Sequence, residues 1–96
     1  MRDYEVTLVL QPLMEEEERG QLIERVANQL VPGEKEGFLT IHHWGQRQLA
    51  NTINKHQEGY YVHYEVKAEP AQVREVEQGF RYNENILRYL VIRKGE

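Results

Sequence analysis

A chain of 96 residues with 40% hydrophobic and 29% charged side chains has room for one soluble domain, spanning 1–96, and no second lobe. It contains no cysteine, which excludes disulfides and thiolate zinc sites and makes a reducing compartment, the cytoplasm, the expectation. The net charge of −4 argues at first sight against nucleic acid, but the charge is segregated.

Residues 11–37 carry seven acids against three bases, and 38–56 carry Arg47 and Lys55 with no acid. Residues 81–96 carry four bases against two acids. Solvated faces are the plain reading of such runs; a split between an acidic and a basic surface is the functional one.

Tyr4, Val6, Leu8 and Leu10 alternate with Asp3, Glu5 and Thr7, the period of a half-buried strand. The apolar run from Val6 to Leu10 is too short for a signal segment or a membrane span, and Pro12 ends the strand. Glu15 to Glu18 sit where a helix N-terminus favours negative charge, and Leu22, Ile23, Val26, Ala27 and Leu30 follow as one apolar stripe. Gly20 weakens this helix slightly, and Pro32-Gly33 stops it. After a polar loop, Phe38 to Trp44 is rich in β-formers, and the strand is expected to continue to about Ile53. Asn54 to Gly59 reads as a turn, and Tyr60 to Val66 as the next strand. Glu69-Pro70 opens a second helix with Val73, Val76 and Phe80 on one face. Ile86 to Ile92 reads as the last strand.

The order β-α-β-β-α-β predicts a ferredoxin-like α+β fold, a four-stranded antiparallel sheet with two helices on one face. The other face of the sheet is left open for a partner.

Catalytic chemistry finds little to work with. There is no serine, and Thr7, Thr40 and Thr52 lie in no nucleophile elbow. Gly33 and Gly37 flank Glu34, Lys35 and Glu36, which would repel phosphate. His42 and His43 are adjacent and, on a strand, point to opposite faces, so they cannot share a metal. The Glu15 to Glu18 run is better read as a dipole-favoured helix start than as a carboxylate site. No cofactor, metal or small-molecule substrate is expected. Val62, Tyr64 and Val66 should face the core, leaving Tyr61 and His63 as ordinary outward residues rather than base-stacking ones.

Two segments interleave arginine with aromatics, as expected where guanidinium meets phosphate: Trp44-Gly45-Gln46-Arg47-Gln48-Leu49-Ala50 and Phe80-Arg81-Tyr82-Asn83 through Arg93. Arginine on a strand edge also blunts aggregation, which is the plain reading. Together with the opening Met1-Arg2-Asp3-Tyr4-Glu5, these segments resemble bacterial small-subunit ribosomal protein six over nearly the whole chain. The resemblance departs at Thr52, where family members commonly have proline. It implies a structural, non-enzymatic component of the small ribosomal subunit with the fold derived above. It also implies binding to the central domain of 16S ribosomal RNA as a heterodimer with small-subunit ribosomal protein eighteen. Carried over by position, the RNA or partner contacts are Arg2, Tyr4, Trp44, Arg47, Arg88 and Arg93.

The alternatives are a small ferredoxin-like ligand-binding regulatory module and an acylphosphatase-type hydrolase. Both want a specialised turn after the first strand, glycine-rich or phosphate-cradling. Here that turn is Gln11-Pro12-Leu13-Met14, and the nearest arginine, Arg19, stands among glutamates.

Overall fold

The computed structural model describes residues 1–32 and 38–95, excepting the Phe38 side chain. The glycine-flanked stretch 33–37, including the expected stop at Gly33, lies outside the described residues. The elements follow as β1 (Arg2–Leu10), α1 (Glu16–Leu30), β2 (Phe38–Ile53), β3 (His56–Ala68), α2 (Pro70–Phe80) and β4 (Ile86–Arg93). The strands form one antiparallel sheet in the order β2-β3-β1-β4, the split βαβ arrangement.

The alternation in β1 determines which side is covered. Tyr4, Val6, Leu8 and Leu10 pair with Val66, Tyr64, Val62 and Tyr60 on one face. Onto that face α1 brings Leu22, Ile23, Val26, Ala27 and Leu30, and α2 brings Val73, Val76 and Phe80. The fully buried Tyr64 donates its hydroxyl to the Ile23 carbonyl at 2.9 Å, tying sheet to helix. Burial, with a smaller contribution from Glu24, pushes this phenol well above its ordinary pKa.

Both helices start as their sequences dictate. Glu16, Glu17 and Glu18 fill the first turn of α1, where the unpaired N–H groups favour negative charge. Pro70 occupies the start of α2, where a missing N–H costs nothing. Asn83 holds the exit of α2: its side chain accepts a hydrogen bond from the Asn85 N–H at 2.9 Å. The Asn85 side chain in turn accepts from the Gln11 amide at 3.1 Å.

One turn differs from its sequence expectation. Asn54 to Gly59 is not a loop: β3 begins at His56, and only Asn54 and Lys55 turn. Both have positive φ, 49° and 70°, the geometry of a tight two-residue hairpin that matches strand twist. The polarity of Gln57 and Glu58 disguises the strand, because this end of the β2–β3 ribbon runs past β1 and is exposed.

Candidate nucleic-acid and partner interface

The face of the sheet away from the helices has no element packed on it among the described residues. On β1 it carries Asp3, Glu5, Thr7 and Val9, and on β3 Lys67, Glu65, His63 and Tyr61 directly opposite them. On β4 it carries Ile92, Leu90 and Arg88, paired with Glu5, Thr7 and Val9. Leu90 and Ile92 are 55% and 46% exposed, a high value for apolar side chains on a strand.

The register of β2 is interrupted between His43 and Gly45, where Trp44 is an extra residue. Gly45 takes a positive φ of 83° there, which suits glycine. Strict alternation would place residues 44 and 47, three apart, on opposite faces. The bulge puts them on the same one: the Arg47 guanidinium lies 5.8 Å from the Trp44 ring centroid, and its Nε donates to the Trp44 carbonyl at 3.4 Å. Gly45, Tyr61, Val9 and Arg88 then form one cross-strand row. Three interstrand steps put the Arg88 backbone about 14 Å from β2.

Trp44 lies flat on His63, with ring centroids 4.8 Å apart and planes 7° apart. His63 is therefore not the ordinary outward residue expected from the sequence: it faces the open side but is only 8% exposed. Thr7 Oγ1 lies 2.9 Å from its Nδ1, and a Glu5 oxygen lies 3.2 Å from its Nε2. His42 stands beside it, with centroids 6.1 Å apart, and pairs with Glu65 at 3.2 Å. That hydrogen bond is the main reason the Glu65 carboxyl is held below the usual range, with smaller contributions from the charges of His42, Lys94 and His63. His43 contacts Tyr60 instead, so the two adjacent histidines do diverge.

The six residues singled out by resemblance thus fall into two groups. Trp44, Arg47 and Arg88 share the open face toward the hairpin end of the sheet. Arg2, Tyr4 and Arg93 belong to the opposite end and the other side, with Tyr4 directly paired to Arg93. Tyr4 is only 7% exposed and packs in the core, so it supports this end rather than presenting a ring to a partner. Arg2 and Arg93 are exposed. The sequence reading missed the Trp44–His63 stack and the exposed pair Leu90 and Ile92. The alternation of β4 could have exposed the pair; the stack depends on the bulge.

One antiparallel four-stranded sheet in the order β2-β3-β1-β4, with two helices on one face, defines a protein of the ferredoxin-like class. The comparisons with known proteins make this specific. Residues 3–93 match the family model of Ribosomal protein S6. Small ribosomal subunit protein bS6 of Caldanaerobacter subterraneus subsp. tengcongensis is 46% identical, over the full length of both chains. The same protein of Desulforamulus reducens is 41% identical, again over both full lengths. The crystal structure of 30S ribosomal protein S6 from Thermotoga maritima matches with a TM-score of 0.82 and 30% identity, over 97% of this chain and 87% of that one. This chain belongs to the Ribosomal protein S6 family, structural proteins of the small ribosomal subunit that are not enzymes.

Proposed function

We propose that this chain enters the small subunit by binding the central domain of 16S ribosomal RNA as a heterodimer with small-subunit ribosomal protein eighteen. The observation that carries this reading is the uncovered sheet face, which holds exposed apolar side chains beside arginines. The acidic start of α1 sits on the helix layer, while Arg47 and Arg88 share the uncovered sheet face with Trp44, Leu90 and Ile92. A chain of net charge −4 releases few counterions from RNA when it binds alone. A basic partner supplies the missing positive charge, and its apolar side chains cover Leu90 and Ile92.

Arg47 and Trp44 at the hairpin end, and Arg2 and Arg93 at the other, mark two margins from which phosphate or the partner is held. Filter binding to a central-domain RNA fragment, with and without the partner, tests the reading. Weak binding alone and tight binding of the pair support it; equal affinities overturn it.

A further inference from the structure

His63 and Trp44 lie in the middle of the open face with a set of charges around them that the binding role does not require. From β1, the Glu5 carboxylate meets His63 Nε2 at 3.2 Å and Thr7 Oγ1 meets Nδ1 at 2.9 Å. Lys94, following β4, reaches the other oxygen of Glu5 at 3.6 Å. From β2, His42 stands 6.1 Å away with Glu65 of β3 on its own Nε2. Trp44 covers the imidazole at 4.8 Å, nearly parallel, and Arg47 lies beyond it at 5.8 Å. The next pair along β1 and β3 on this face is Asp3 and Lys67, and Tyr61 lies beyond His63 toward the hairpin.

This arrangement accommodates both states of the imidazole. When neutral, His63 accepts the Thr7 hydroxyl proton at Nδ1, with its Nε2 3.2 Å from the Glu5 carboxylate. When protonated, it donates from both nitrogens, and the Thr7 hydroxyl turns to accept. No hydrogen bond is lost on protonation. What is gained is an ion pair with Glu5 and a cation against the face of the indole. His42 has Glu65 as its own counter-charge.

We propose that His63 and Trp44 form a proton-responsive clasp on the open sheet face: protonation of the imidazole presses the indole onto the sheet, and deprotonation frees it toward solvent. Trp44, a residue proposed above for RNA or partner contact, is thereby presented differently on either side of the transition. The clasp itself does not depend on that reading.

Trp44 is the only tryptophan in the chain, so its fluorescence reports the clasp alone. Acrylamide quenching of Trp44 is measured against pH in the full chain, alongside the His63 ring-proton NMR titration. The docked-to-free ratio of the indole is expected to rise between about two- and fivefold on acidification, the equivalent of the roughly 0.5–1 kcal/mol of an exposed cation–π contact, and quenching to fall with it. Its midpoint coincides with the His63 titration, the transition vanishes in His63→Asn, and it persists in His42→Asn. Quenching that is flat while His63 titrates, or a transition that survives in His63→Asn, overturns the proposal. Should His63→Asn fail to fold, coincidence of the two midpoints in the parent chain decides.

Discussion

Replacing Gly59 with alanine adds one methyl group at a point where the sheet has no room for it. Gly59 is buried in β3, opposite Arg47. A Cβ there would run into Val9 Cγ1 and come within 3.4 Å of the Leu10 carbonyl oxygen and of Leu49 Cδ2. Gly59 is not in the left-handed region, so alanine can adopt its backbone. By itself, the reduced freedom of the unfolded chain would then stabilise the protein by about 0.4–1 kcal/mol. Overpacking acts against this and costs about 1–3 kcal/mol, because Val9 lies on a central strand and is only 3% exposed. The net expectation is a loss of about 1–2 kcal/mol, with Tm falling by roughly 4–8 °C per kcal/mol in a domain of this size.

Urea and thermal unfolding of Gly59→Ala, Val9→Ala and the double variant measure this, with an unchanged urea slope as the check that only stability moved. Val9→Ala removes the obstructing methyl group, so the double variant should be more stable than the two single losses added together. A Gly59→Ala protein as stable as its parent, or strictly additive losses, would refute the steric reasoning.

Other consequences are equally concrete. Lys55→Gly should raise stability by about 0.5–1 kcal/mol in the same unfolding assay, since Lys55 sits at φ 70° in a turn whose second position favours glycine. His42→Asn should raise the Glu65 pKa, followed by carboxyl NMR titration, because the His42 hydrogen bond is the main cause of its depression. A depressed carboxylate pKa means the pair stabilises the fold above the unfolded value of about 4.3 and ceases to do so as pH falls through the folded value. His42→Asn should therefore lose that acid-side dependence. Arg2→Ala and Arg93→Ala should weaken binding to the ribosomal particle while leaving the unfolding free energy within about 0.5 kcal/mol of the parent. A matching loss of stability would assign these two residues to the fold.

Most of the fold could be read from the chain because its elements bury one side each. Tyr4, Val6, Leu8 and Leu10 announce a one-sided strand, and Val73, Val76 and Phe80 a one-sided helix, and each lands in the core. The hairpin could not be read as well. Strand signals come from burial, and His56, Gln57 and Glu58 lie on a ribbon wet on both sides, closed by two left-handed residues without a glycine. The candidate contact residues could be named from the sequence, but not how the fold groups them. Trp44 and Arg47 share a face only because of the bulge at Gly45, and Arg2 and Arg93 are set apart from them by strand register. His63 shows the same limit: its alternation gives the open side correctly, but its burial comes from an indole brought over it by the irregularity in the neighbouring strand.

On the function proposed above, this acidic chain binds ribosomal RNA as half of a pair. The most direct measurement is the affinity for a central-domain 16S RNA fragment as a function of salt, for the chain alone and with ribosomal protein eighteen. The pair should bind far more tightly and with a steeper loss of affinity as salt rises, because the partner brings most of the phosphate contacts. Equal affinity and equal salt slope with and without the partner would contradict the account.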